Sequence, residues 1–328
     1  MNKYFTSTVI ALIAMITFTA CEQKEAVNVV NQNVDIGVYN GEASLLAIIA
    51  HENEIFKKHN LNVNLKPYKT GKDAFNAMLN GEVSYSTATE FVAVKNSFTN
   101  TNFKILASIS QANINGMLGK KSSNINTGYD LKNKRIGTTI GTATEFYTGV
   151  FLEQFNISLN DVKFVNVSPK DRLSSYGENN YDALFAWEPH IYKIRKQYPD
   201  NFEYFNMPLS FNFDFILAVD NMYNEQNQNV SKKVLNALIE AQSLLESSEI
   251  DLNEFLKNYF KYDDDYIKYS ENKYKFKVNL NYPMLVNMNK QVSYLVENNL
   301  VEGNINPKDL IYTKTLNEID TKRVGFWE

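Results

Sequence analysis

One cysteine and three histidines occur in 328 residues, too few for a zinc or iron–sulfur centre built from the usual ligands. The single thiol, Cys21, has no second cysteine with which to form an intramolecular disulfide. Seven prolines and 13 glycines exclude collagen-like and linker-dominated chains. Charge of either sign is hardly in excess: Lys+Arg 33 against Asp+Glu 37 gives a formal −4. That balance supplies no field for a polyanion, so nucleic acid is not an expected partner. Beyond Cys21 no run is long and apolar enough to read as a bilayer span. What remains, 44% hydrophobic and 21% charged residues, is the composition of a folded chain with substantial cores. Its length fits two domains or one large one.

Catalytic signatures are also missing. His51, His59 and His190 stand far apart, and neither His-Glu-x-x-His nor Gly-x-Ser-x-Gly occurs. The IGTTIG run at 136–141 lacks both the dinucleotide glycine spacing and the Lys-Ser/Thr of a phosphate loop. Gly141 there is expected to turn the backbone tightly or let it approach a ligand. The 44 asparagines spread over every segment and read as compositional bias.

The first 20 residues have the layout of a secretory signal: Lys3 in a short leader, an uncharged apolar run Val9–Phe18, then Thr19 and Ala20 before Cys21. The polar stretch 21–33 reads as a tether. A buried N-terminal helix with Cys21 as apolar filler is the competing reading.

After the tether, strand and helix patterns alternate. VDIGVYN (34–40), NVNLKPY (62–68), VSYSTA (83–88) and KILASIS (104–110) read as strands. Between them LLAIIAHENEIFKKHN (45–60), AFNAMLNG (74–81) and EFVAVKNSF (90–98) read as helices. A second series follows, with strands at KRIGTTIG (134–141), VKFVNV (162–167), DALFAWEPH (182–190) and FNFDFILAVD (211–220) and a helix at 142–157. The last third reads as helical, with Ser231 a candidate N-cap for 231–248. This alternation predicts an α/β fold with mostly parallel sheets.

Three strand-to-helix junctions place small and hydroxyl residues at helix starts: Asn40–Ser44, Ser86–Glu90 and Gly141–Glu145. Free N–H groups and the positive dipole end at such positions suit a polar solute, and ligands in open α/β sheets lie beyond the carboxyl ends of the strands. Ordinary capping is the competing reading, because Thr-x-x-Glu is also a capping-box pattern. Trp187 closes a strand beside Glu188, where an indole face makes either a ligand wall or a core filler.

FTAC after the apolar run resembles the bacterial lipoprotein signal, although Phe18 stands where Leu is usual. The resemblance implies a lipid on Cys21 and a cell-envelope location, on the periplasmic side of a membrane. The strings IFKKHNLNVNL, TGKDAFNAMLNGEVSYSTATE, DLKNKRIGTTIGTATEFYTGVFLEQFNISLNDVKFVNVSP and YDALFAWEPHI resemble the solute-binding proteins of ABC importers, in the nitrate/sulfonate/taurine and NMT1/THI5-like group. Ser84 replaces an acidic residue usual there. The likeness implies a two-lobed type II periplasmic-binding-protein fold, lobe 1 from 34–111 plus 214–328 and lobe 2 from 112–213. It implies a monomer that needs no cofactor or metal and delivers a small solute to an inner-membrane permease with its ATPase. Carried over by motif position, the ligand-binding residues are Glu42, Ser44, Thr87, Thr89, Glu90, Thr142, Thr144, Glu145, Trp187 and Glu188. Because each junction holds Glu and none holds Lys or Arg, the expected solute is an amine, a zwitterion such as taurine, or a pyrimidine. The alternatives are an enzyme on the same fold, such as a relative of thiamine-pyrimidine synthesis, and a sensor or adhesion lipoprotein.

Overall fold

The computed structural model describes residues 32–207 and 212–326. The signal, Cys21 and the tether up to residue 31 lie outside the described residues; residues 32 and 33 already belong to the first strand.

The first half of the body runs β1 (Gln32–Tyr39), α1 (Leu45–Glu52), α2 (Ile55–Lys58), β2 (Leu61–Tyr68), α3 (Gly71–Leu79), β3 (Tyr85–Thr89), α4 (Glu90–Ser97) and β4 (Phe103–Ala112). The helix read as 45–60 is broken, because Glu54 takes a left-handed conformation with φ 55° between α1 and α2. Next come β5 (Asn115–Lys120), β6 (Arg135–Thr138), α5 (Ala143–Glu153), β7 (Lys163–Asn166), α6 (Arg172–Tyr176), β8 (Ala183–Trp187), α7 (His190–Gln197) and β9 (Phe202–Asn206). The chain returns through β10 (Phe213–Asp220), α8 (Asn221–Gln226), α9 (Gln228–Glu246), α10 (Leu252–Phe260), α11 (Asp264–Ser270), β11 (Tyr274–Asn279), α12 (Tyr282–Glu297) and α13 (Lys314–Ile319). Ser231 lies inside α9 rather than at its start. Its buried hydroxyl donates to Asn224 Oδ1 at 2.8 Å and bonds the Tyr85 hydroxyl at 2.8 Å.

Two sheets result, ordered β11-β4-β10-β3-β1-β2 and β7-β6-β8-β5-β9. Both are mixed, not mostly parallel. β1 pairs parallel with β2 and β3, and β6 with β7 and β8, but β10, β4 and β11 in the first sheet and β5 and β9 in the second run antiparallel to their neighbours. The reason is topological: β4 leads into β5 after two residues, and β10 brings the chain back, so each sheet admits a strand of opposite sense. The inner strands β3, β8 and β10 are buried along nearly their whole length; β8 and β10 read as the apolar runs expected of such strands, whereas β3 buries the hydroxyl residues Ser86, Thr87 and Thr89. The main core unites helices attached to both sheets, with Phe91 of α4 stacked on Phe146 of α5 at 5.5 Å between centroids. A smaller core behind the second sheet gathers Tyr176, Tyr181, Leu184 and Ile194.

Candidate functional site between two sheet edges

The topology assembles the site. In parallel strands the carboxyl ends share one edge, and an antiparallel partner begins where they finish. Thus Tyr39 closes β1 and Thr89 closes β3, opposite Phe215 of β10. In the second sheet Trp187 closes β8, directly opposite Asn115 at the start of β5. These ends meet around a cavity of ≈ 40 Å³, with Thr70, Lys72, Val92, Ile114, Thr142 and Thr144 among its walls. On this measure it has room for about three waters.

The helix starts carry the more telling detail. At five other helices the N-cap side chain is used, Thr70, Asp220, Asp251, Asp263 and Asn281 each accepting a main-chain N–H of their own helix, while at α2, α6, α7, α9 and α13 it is not. Ser44, Thr89 and Thr142, which precede α1, α4 and α5, make no such cap bond. Simple capping therefore does not account for the three junctions. The Ser44 hydroxyl bonds Thr87 Oγ1 at 2.8 Å, and Thr87 Oγ1 accepts the Tyr39 N–H at 3.0 Å. Thr142 Oγ1 donates to the Thr139 carbonyl at 2.7 Å and bonds Thr144 Oγ1 at 2.8 Å. Among the described residues Thr89 Oγ1 and Asn115 Nδ2 are buried and make no hydrogen bond, and both line the cavity from different sheets.

Of the ten residues nominated from the sequence, Thr89, Thr142, Thr144 and Trp187 line the cavity. Ser44 and Thr87 lie one layer behind, positioning Tyr39. The four glutamates do not line it. Glu145 is ion-paired with Lys95 at 2.7 Å, and its Oε2 accepts the Gly141 N–H. Glu90 Oε1 accepts from Asn287 and Gln291 of α12, and burial pushes its carboxyl well above the usual range. Glu42 accepts from the Tyr266 hydroxyl at 2.8 Å and Glu188 from the Tyr269 hydroxyl at 2.6 Å; burial raises both. Each carboxylate is turned into a neighbour instead of the cavity, so the glutamates do not supply the negative lining on which an amine, a zwitterion or a pyrimidine was expected. The charged group lining the cavity is cationic: Lys72, whose Nζ donates to the Ile140 carbonyl at 3.1 Å. Gly141 turns tightly, with φ 84°, and a Cβ there would meet Lys72 Nζ at 2.7 Å.

Sequence reasoning missed Tyr39, Thr70, Lys72, Asn115, Phe213 and Phe215. Their common signal is position at the first or last residues of a strand or the first turn of a helix on this one edge. Trp187 Nε1 donates to the Tyr39 hydroxyl at 3.0 Å, and the guanidinium carbon of Arg172 lies 3.4 Å from its ring centroid. His190 packs edge-on against the same indole, and burial holds its imidazole down at about 3. Among the described residues no cluster of His, Cys, Asp and Glu forms a metal site.

Two lobes built on mixed sheets, joined by crossing strands and meeting at their carboxyl edges, define a type II periplasmic-binding-protein fold. The match of residues 26–245 to the family described as NMT1/THI5 like is decisive for kinship, and the chain belongs to that family. No curated protein matches it in sequence. Among solved structures it is similar to the alkanesulfonate-binding protein SsuA from Xanthomonas axonopodis pv. citri bound to MOPS, at 14% identity and a TM-score of 0.73, covering 86% of this chain and 98% of that one. The periplasmic aliphatic sulphonate binding protein SsuA from Escherichia coli gives 15% identity and a TM-score of 0.69, over 86% and 97%. The desulfurization enzyme DSZB gives 12% and 0.66, over 88% and 99%. At these identities the likeness is one of fold.

Proposed function

We propose that this protein is the extracytoplasmic solute-binding component of an ABC importer and that its solute is a small organic anion of the sulfonate type. The observation that carries the reading is the pair Thr89 Oγ1 and Asn115 Nδ2. Two buried polar groups from different sheets face one cavity and make no hydrogen bond among the described residues. Buried polar groups left unmade cost about 1–3 kcal/mol each, so a site that keeps two of them facing one space is built for a ligand. The uncapped starts of α4 and α5 and the Lys72 ammonium give that space a positive character. Family membership and the sulfonate-binding proteins of the same fold support this choice of class.

Capture follows from differential contact. A solute touching one lobe stabilises the arrangement in which the other lobe also reaches it, and the closed complex is what a permease and its ATPase would recognise. Residues 34–111 with 214–328 form lobe 1 in this reading, and 112–213 form lobe 2. Trp187, Tyr39, Phe213 and Phe215 give the apolar wall for the organic part of the solute. The lining offers hydroxyl, amide, ammonium and aromatic groups without cysteine, histidine or carboxylate, which favours binding over an enzyme on the same fold. In this reading the body is a monomer and a lipid on Cys21 anchors it at the membrane; Cys21→Ala is expected to move the protein from the membrane to the soluble fraction.

Thermal-shift measurements on the purified protein test the solute class. Ethanesulfonate, taurine and related anions are expected to raise the melting temperature by mass action, and polyamines and pyrimidines to leave it unchanged. In a Trp327→Phe variant, which leaves Trp187 as the sole indole, the same anions should change the fluorescence. Stabilisation by amines or pyrimidines and by no sulfonate would refute the anion reading.

A further inference from the structure

Four arginines are present in the chain, and three have an anionic or phenolic partner. Arg135 pairs with Asp182 at 2.9 Å, Arg323 with Asp320 at 3.5 Å, and Arg195 donates to the Tyr269 hydroxyl, which holds Glu188. Arg172, the first residue of α6, is different. It is wholly buried, and no carboxylate pairs with it among the described residues. Its only hydrogen bond there runs from Nη2 to Thr139 Oγ1 at 2.7 Å, while Nε and Nη1 are buried and have none. Buried charges are ordinarily paired, because desolvation of an ion costs several kcal/mol even after relaxation. The face of Trp187 offsets part of that cost.

Arg172 is not itself a lining residue of the cavity; it reaches the wall through its neighbours. Trp187, stacked under it, lines the cavity, and Thr139 presents the carbonyl that accepts from the lining hydroxyls of Thr142 and, more distantly, Thr144. Its charge also bears on Tyr39, another lining residue, and on His190. Burial lowers the guanidinium to about 9, still charged at neutral pH.

We propose that Arg172 is a specificity-determining residue of this site, the buried counter-charge behind Trp187 that favours a negative group on the solute. The inference rests on the anion reading above and adds to it the residue responsible. The role was invisible in the sequence, where Arg172 lies outside the three junctions and arginine is ordinarily a surface residue.

The test compares an anion with its neutral isostere: ethanesulfonate against ethanesulfonamide, by calorimetry, on the wild type, Arg172→Lys and Arg172→Met. The wild type is expected to prefer the anion. Arg172→Met should bind the sulfonate about 10- to 100-fold more weakly while holding the sulfonamide as well as before, and Arg172→Lys should fall between. Without solute, Arg172→Met should melt at or above the wild-type temperature, because an unpaired buried charge has gone. Equal weakening of both ligands, or a sharply lower melting temperature, would show Arg172 to be a structural support for Trp187 and overturn this inference alone. A wild type that binds the sulfonamide as tightly as the sulfonate overturns the anion reading together with it.

Discussion

The indole N–H of Trp187 donates to the hydroxyl of Tyr39 at 3.0 Å, joining the carboxyl ends of β8 and β1 across two different sheets. Both residues are buried and both line the cavity. The bond thus belongs to the wall of the site and to the contact between the sheets at once. A solute bound there would touch a contact between the two sheets.

Tyr39→Phe removes the acceptor and leaves the Trp187 N–H buried without one. The expected cost is about 1–3 kcal/mol of stability, read from urea unfolding. The double variant with Trp187→Phe should lose less than the sum of the single changes, with a coupling of about 0.5–3 kcal/mol. Strict additivity would mean that the hydrogen bond contributes nothing.

Thr89→Val and Asn115→Leu separate binding from stability. Each replaces a polar group that has no partner among the described residues with an apolar one of similar size, so the fold should be as stable as the wild type or more so. Sulfonate affinity should fall about tenfold for each, the worth of one ordinary hydrogen bond. Variants that lose stability and keep affinity would place these groups in the scaffold rather than in the binding site.

The alternation that announced an α/β fold was legible because β1 alternates Val34, Ile36 and Val38 with polar or small residues and β8 is the apolar run ALFAW, each near a helical pattern. β5 was not, since NGMLGK holds two glycines and no β-branched residue, and β11 was hidden in the charged run YKFKVN. Both lie antiparallel to their partners, which is why the sheets read as mostly parallel from sequence and fold as mixed ones. At the site, three of the hydroxyl residues at helix starts, Thr89, Thr142 and Thr144, lie on the cavity wall. The glutamates misled because sequence gives their place on a helix but not their direction. Glu145 has Lys95 to turn to, and Glu90 has Asn287 and Gln291, 197 and 201 residues away. Asn115 and Phe215 reach the cavity only through strand pairing, which no local pattern records.

Lys95 of α4 and Glu145 of α5 form an ion pair between helices that follow strands of different sheets, 26% and 7% exposed. Lys95→Met strands a mostly buried carboxylate, which keeps the Gly141 N–H as donor. It should cost about 1–3 kcal/mol, less than a fully buried pair because the lysine is partly in water. Adding Glu145→Gln to Lys95→Met should recover part of that loss in chemical unfolding. If the double variant is less stable than Lys95→Met, the cost is not that of an uncompensated charge.

Glu90 sets the sign of a pH dependence. Its carboxyl is fully buried, and desolvation, reinforced by Asp214, raises its pKa well above 4.5. Facing it are Asn287 and Gln291, which donate to Oε1, and Tyr147, whose own ionisation is pushed up by burial and by Glu90. A raised carboxyl contributes stability that is complete below its unfolded pKa and is lost as pH rises through the folded one. The protein should therefore lose stability through this group as pH climbs from about 4.5 through its raised folded value. Glu90→Gln keeps an oxygen for Asn287 and Gln291 and has no proton to lose. Its unfolding free energy should be flatter over that window, and at about pH 8 should exceed that of the wild type, each raised pKa unit being worth about 1.4 kcal/mol. Parallel pH profiles for the two proteins would mean that Glu90 ionises as readily in the fold as out of it.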